Sequence, residues 1–214
     1  MCTTASKSGF SSWLSRTFYP WALQHNTAYE RFMAERKQQL FKDISGTVVE
    51  IGAGTGANFP YFPVGIDYIA IEPHEQLRGI LKAGVKKHNF KSAEILEASA
   101  ENIPLDSSSA DIVISTLVLC SVSDVSTVLQ EIKRVLKPGG RLLFIEHVAA
   151  HHGTLLLKVQ RFVKPAWRKI VDNCHPDRRT GESLKSAGFK NVEFEEFRVP
   201  VPVVAPHIAG FAVK

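Results

Sequence analysis

A chain of 214 residues with 44% hydrophobic content fits one α/β domain with a sizeable core and leaves little room for two. Its formal net charge of +5 comes from 26 basic residues scattered among 21 acids, which reads as a solvated surface rather than a nucleic-acid-binding stripe. Cys2, Cys120 and Cys174 are odd in number, far apart and without C-x-x-C spacing, so the pattern gives no disulfide framework and no metal signature, and favours a reducing compartment.

Residues 10–40 carry Trp13, Leu14, Phe18, Tyr19, Trp21, Leu23, Tyr29, Phe32 and Met33 on a polar background broken at Pro20. The spacing predicts two short helices, the second running through Glu35-Arg36-Lys37 to about Phe41. Residues 1–44 are therefore expected to form an N-terminal helical lid, although packing on the core accounts for the same stripe. Trp13, Leu14 and Phe18, with Lys7 and Arg16, also meet the amphipathic criterion for weak peripheral contact with a membrane surface. No run approaches the roughly 18 apolar residues of a spanning helix, and residues 1–9 lack the apolar core of a cleavable signal. A cytoplasmic location is expected.

The main domain is expected over residues 45–214. Val48-Val49-Glu50-Ile51 suits a short strand covered on both faces, and it runs into Gly52-Ala53-Gly54-Thr55-Gly56-Ala57-Asn58. Alternating glycines let backbone turn tightly against a ligand, but their spacing departs from the G-x-G-x-x-G of a dinucleotide loop, and an acid precedes them. An acid at that point suits a ligand with a cationic end, such as S-adenosylmethionine, which carries an ammonium and a sulfonium. Residues 67–73 read as a second strand ending on an acid, Glu72, placed to accept from both hydroxyls of a ribose. A helix over 75–85 precedes a third strand at 93–98 and the loop Ser99-Ala100-Glu101-Asn102-Ile103-Pro104. There, a backbone N–H and the Glu101 carboxylate suit an adenine.

The fourth strand, 110–115, continues through Thr116 into a loop of small and apolar residues ending at Val122. Ser123 or Asp124 caps a helix with Val125, Val128, Leu129, Ile132, Val135 and Leu136 on one stripe, which Pro138-Gly139-Gly140 stops. A fifth strand spans 141–148. Residues 149–175 interleave apolar and basic side chains beyond the length a crossover needs, and are expected to form an inserted cap over the site, although a plain packing helix accounts for the same pattern. A helix over 180–187, a strand at 192–199 and a last strand at 207–213 complete a βα alternation that demands a mostly parallel sheet with helices on both faces.

The motif E-x-G-x-G-x-G at 50–56, the acid at 72, Ala100-Glu101-x-Ile-Pro and Arg134-Val-Leu-Lys-Pro-Gly-Gly140 together resemble the class I, S-adenosylmethionine-dependent methyltransferases. Gly54-Thr-Gly-Ala-Asn-Phe59, Thr116-Leu-Val-Leu-Cys-Ser-Val122, Glu146-His-Val-Ala-Ala150 and the stretch from Pro206 to Lys214 look like the thiol S-methyltransferases of the methyltransferase-like 7 family. The similarity runs from about Tyr29 onward. It implies a Rossmann-like seven-stranded sheet whose last strand is antiparallel, and methyl transfer from S-adenosylmethionine to a small thiol or hydrogen sulfide. The start departs from the animal members, which carry a long hydrophobic anchor where this chain has a short aromatic segment. Quinone-biosynthesis methyltransferases share similar motifs, so a C- or O-methyltransferase acting on a quinol or phenol is the alternative, and a non-catalytic cofactor-binding module the next.

The candidate cofactor ligands are Glu50, Gly52, Gly54, Gly56, Asn58, Glu72, Ala100, Glu101 and Thr116. A thiol is only a few per cent thiolate at neutral pH, so a base near the methyl group would help. His147, at the end of the fifth strand, is the first candidate, with Asp172 and His175 as others. Tyr29, Cys174 and Arg178 are the candidates for the substrate side. The expected partner is a small molecule, with no nucleic acid and no metal.

Overall fold

In the computed structural model the described residues are 27–214, so the readings made on residues 1–26 lie outside them. The N-terminal helix of this region, α1 (Thr27–Phe41), buries Tyr29, Met33, Lys37 and Phe41, one residue per turn at a strict four-residue interval. That stripe packs into the core beside Ile44, Phe62 and Tyr68. None of the described helices is long and apolar enough to cross a membrane.

The chain then alternates strand and helix: β1 (Thr47–Ile51), β2 (Asp67–Ile71), α2 (Glu75–Val85), β3 (Ser92–Leu96), β4 (Ala110–Thr116), α3 (Val125–Val135) and β5 (Leu136–His147). After these come α4 (Leu155–Ile170), α5 (Thr180–Ser186), β6 (Asn191–Arg198) and β7 (Pro206–Val213). The strands of the described region form one seven-stranded sheet in the order β3-β2-β1-β4-β5-β7-β6. All pairs from β3 to β5 are parallel, and β7 runs antiparallel to both β5 and β6.

Alternate residues of each strand feed two cores, one per face of the sheet. Val48, Ile112, Ile114, Leu143 and Ile145 join α1 and Leu81 of α2 on one side. Val49, Ile51, Val113, Leu142 and Phe144 meet the α3 stripe of Val128, Leu129, Ile132 and Val135 on the other. An irregularity in the β4–β5 register between Ala110 and Ile112 changes the parity, so that Ala110 faces α3 while Ile112 faces α1.

The Asp124 carboxylate caps α3, accepting from the N–H groups of Ser126 and Thr127. No loop separates this helix from β5. Leu136 already pairs with Ala110, so Pro138-Gly139-Gly140 lies in the opening of the strand rather than ahead of it. The strand order reverses between β1 and β4, and the crevice beyond the carboxyl ends of strands at such a point is where α/β sheets hold their ligands.

Candidate active site

A cavity of about 330 Å³ opens at the carboxyl ends of β1, β2 and β4. Its floor is the turn after β1, where Gly52 (φ +56°) and Gly54 (φ +59°) hold left-handed backbone. A Cβ at Gly52 would stand 2.5 Å from Val118, whereas one at Gly54 would meet only the Gly52 carbonyl, at 3.8 Å, with the cavity beyond. The Glu72 carboxylate, 2% exposed, braces this turn. It accepts from Gly54 N–H at 2.9 Å through one oxygen and from His74 N–H at 2.9 Å through the other. Each oxygen keeps a lone pair for a further donor.

Glu50 forms the deep end. It accepts from Asn58 Nδ2 at 2.6 Å and from the Tyr68 hydroxyl. Burial pushes its carboxyl up to about 7, against the opposing pull of those two hydrogen bonds and of Lys37. Asn58 also donates to Thr116 Oγ1 at 3.0 Å, and its own carbonyl oxygen is buried with no partner among the described residues. The Tyr29 hydroxyl is likewise buried and without a partner there. Lys37, fully buried, donates to Glu30 at 2.6 Å, and both line the same end.

At the opposite end the wall is Ser99, Ala100 and Glu101. Burial works against ionisation of Glu101, but the Ser99 hydroxyl and the Ser123 N–H, the latter at 2.8 Å, outweigh it and hold the carboxyl below its ordinary range. Arg134 on α3 buttresses the loop from behind, donating to the carbonyls of Ile103 and Leu105 at 2.7 Å each.

From the loop 117–123, Leu117, Val118, Ser121, Val122 and Ser123 add a further wall, and Glu146 anchors the loop. Its carboxylate, fully buried, accepts from Ser115 Oγ at 2.7 Å and from the N–H groups of Val118, Leu119 and Cys120 at 3.0, 3.0 and 3.3 Å. Arg178 works from outside this loop, donating to the carbonyls of Leu119 and Val122 at 2.7 Å each.

Of the expected insert over 149–175, only Asp172 and Asn173 reach the cavity. Helix α4 buries little beyond Leu157 and Gln160 and leaves Leu155 and Phe162 exposed, so this helix does not line the cavity and the insert's wall is two residues wide. Asp172 sits 2.8 Å from His74 Nε2, and Asn173 donates to the Ser121 carbonyl at 2.8 Å.

Glu50, Gly52, Gly54, Asn58, Glu72, Ala100, Glu101, Thr116, Tyr29 and Asp172 thus line one cavity. Gly56, His147, Cys174, His175 and Arg178 do not. His147 points away, its Nε2 2.9 Å from Cys174 Sγ, and both side chains are buried behind the wall. His175 is drawn down to about 4 by burial and by Arg178, Arg168 and Lys164, which makes it a weak base at neutral pH. The residues that sequence reasoning missed are Lys37, His74, Glu146 and Asn173. Lys37 left a signal, since it continues the spacing of Tyr29 and Met33, and Glu146 opens the stretch Glu146–Ala150 that carries part of the family resemblance.

Residues 49–144 match the methyltransferase domain family. The thiol S-methyltransferase TMT1B of Rattus norvegicus is 38% identical over 215 residues, covering 94% of this chain and 88% of that protein. TMT1A of Homo sapiens, also named a thiol S-methyltransferase, is 34% identical over 96% of this chain and 90% of its own length. A demethylmenaquinone methyltransferase of Lactococcus lactis reaches 33% over 60% of this chain and 58% of that protein. Among solved structures, an S-adenosylmethionine-dependent methyltransferase from Thermotoga maritima superposes with a TM-score of 0.65 at 21% identity, over 96% of this chain and 98% of that one. The [4+2]-cyclase SpnF superposes with a TM-score of 0.68 at 16% identity, over 88% and 81%, so the fold by itself does not fix the chemistry. Near-full-length identity of 34–38% to named methyltransferases does what the fold cannot: the chain belongs to the S-adenosylmethionine-dependent methyltransferases, within the thiol S-methyltransferase family.

Proposed function

We propose that the cavity binds S-adenosylmethionine and that the protein moves its methyl group to the sulfur of a small thiol. The observation that carries the choice of sulfur is the identity, over nine-tenths of the chain, to relatives named thiol S-methyltransferases. The cavity's own chemistry supports the cofactor. Gly54 lacks a Cβ where one would stand in the open cavity, and Asn58 Oδ1 is a buried acceptor with no partner among the described residues. Glu50 lies beside it, a carboxyl raised to about 7 that releases its proton to solvent when a cation is bound against it.

In this reading Glu72 faces the ribose hydroxyls, the Ser99–Glu101 loop the adenine, and Glu50 and Asn58 the ammonium of the methionine arm. Lys37 offers the nearby positive charge for the carboxylate of that arm. When bound, S-adenosylmethionine supplies a methyl group already activated by its sulfonium. The protein has only to orient the acceptor, exclude water and remove one proton from it. The apolar side chains of Leu117, Val118 and Val122 with Tyr29 suit the acceptor side. The His74–Asp172 pair stands on the wall, and an imidazole held by a carboxylate can take a thiol proton. This replaces His147, whose ring is turned to Cys174.

The test is incubation with methyl-labelled cofactor and a panel of small thiols, hydrogen sulfide, quinols and phenols, with products identified by mass. S-methylated products are expected. Label on a quinol or phenol with every thiol untouched would overturn the sulfur assignment. His74→Ala should lower thiol turnover about tenfold or more at pH 7 and much less at pH 9, where the acceptor ionises unaided. Equal losses at both pH values would remove His74 as the base.

A further inference from the structure

Behind the cavity wall, three ligand-type side chains from separate parts of the fold meet in one buried spot. Cys120 belongs to the loop after β4, His147 ends β5, and Cys174 follows α4. Their two sulfurs and one ring nitrogen all lie within 4.8 Å of one another, and the three residues are 2%, 4% and 3% exposed. The cysteines are free thiols. The hydrogen bonds within the protein that hold the cluster are weak ones to sulfur: Cys120 Sγ meets the Leu117 carbonyl at 3.3 Å and Ser121 Oγ at 3.5 Å, and Cys174 Sγ meets His147 Nε2 at 2.9 Å.

We propose that Cys120, His147 and Cys174 form a Zn²⁺ site, with Sγ, Nε2 and Sγ as its ligands. Bond lengths of about 2.3 Å to sulfur and about 2.0 Å to nitrogen put tetrahedral ligand atoms roughly 3.5–3.8 Å apart. That spacing lies inside the observed envelope, and the 2.9 Å contact between His147 Nε2 and Cys174 Sγ has only to open by roughly 0.6 Å to reach it. Two thiolates balance the charge of one dication, so the buried site carries no net charge. Trp167 already donates its indole N–H to Cys174 Sγ at 3.2 Å, the outer hydrogen bond that steadies a metal-bound thiolate. With three protein ligands, the fourth position falls to water or to an added thiolate.

Such an ion would join two cavity walls. Ser121 follows Cys120 and Asn173 precedes Cys174, both neighbours line the cavity, and they are already linked by one hydrogen bond. The proposal does not depend on which acceptor the enzyme methylates.

The experiment uses the full chain in a Cys2→Ser background, reduced and kept anaerobic, with Co²⁺ as the spectroscopic probe. One Co²⁺ per chain is expected, with a near-ultraviolet sulfur-to-cobalt charge-transfer band and tetrahedral visible bands, all abolished by competing Zn²⁺. His147→Gln and Cys174→Ser should each weaken binding by roughly a hundredfold or more and remove the charge-transfer band. Absence of stoichiometric binding, binding without that band, or bands that persist in both variants would overturn the site. A second measurement needs no variant: Zn²⁺ should slow alkylation of Cys120 and Cys174 in otherwise unmodified protein, counted cysteine by cysteine by mass. Equal rates with and without Zn²⁺ would also overturn it.

Discussion

Replacing Glu72 with alanine removes the one carboxylate that holds two segments of the cavity in place. The Gly54 and His74 N–H groups, each 2.9 Å from a Glu72 oxygen, lose their acceptor. Both segments line the cavity, so water can reach them, and the cost to the fold should be on the order of 1 kcal/mol. The ligand loses more, because hydrogen bonds to a charged group contribute about 1.5–3 kcal/mol. That range corresponds to roughly a 10-fold to 150-fold rise in the Kd for S-adenosylmethionine. Glu72→Gln should do little better, since its amide nitrogen must face one of the two backbone donors. Titration calorimetry with the cofactor and with its demethylated product reads the affinity, and a melting curve reads the fold. A Kd within about threefold of the unmodified protein, with a lowered melting temperature, would leave Glu72 as a brace for the loop and remove it from the ligand.

Other perturbations separate binding from folding. Gly54→Ala places a methyl group in open cavity and should abolish measurable cofactor binding with a small loss of stability, whereas Gly52→Ala drives a Cβ to 2.5 Å from Val118 and should chiefly lower the melting temperature. The reverse ranking would contradict the assignment of the open side. Glu50, raised to about 7 from an ordinary 4.5, keeps its proton longer in the folded protein than in the unfolded chain. Its contribution to stability is therefore present below about 4.5 and is lost as pH rises through about 7, on the order of 3 kcal/mol in all. Ligand-free protein should lose melting temperature between pH 5 and 7.5 relative to Glu50→Gln, and cofactor binding near pH 6.5 should release a proton, seen as a calorimetric enthalpy that varies with the buffer. Parallel melting profiles, or no proton release, would show that Glu50 does not titrate there. Glu146→Ala leaves the N–H groups of Val118, Leu119 and Cys120 without their acceptor and should cost about 3–5 kcal/mol, a fall of about 10 °C or more in a melt. A shift under about 3 °C would mean the loop has another anchor.

Much of the cavity was legible because its parts are local in the chain. A β-branched run next to alternating glycines can only be a strand entering a tight turn, and the acid that ends the following strand falls at a fixed spacing, since parallel neighbours in register end at one edge. Asp124 and the stripe on α3 follow from helix chemistry in the same way. What the sequence could not decide depends on where separate elements meet. Lys37 reads as part of a charged, solvated stretch, yet the four-residue stripe of α1 carries it inward to Glu30 and the cavity. His147 ends a strand at the ligand edge, but its side chain turns to Cys174 and leaves that edge to His74 and Asp172. Residues 149–175 have the composition of a cap, and only tertiary packing limits their share of the wall to two side chains. Cys120, His147 and Cys174 stand 27 residues apart at each step and show no ligand spacing. Nothing local in the chain encodes their meeting; it follows from folding a loop, a strand end and a post-helical turn against one another.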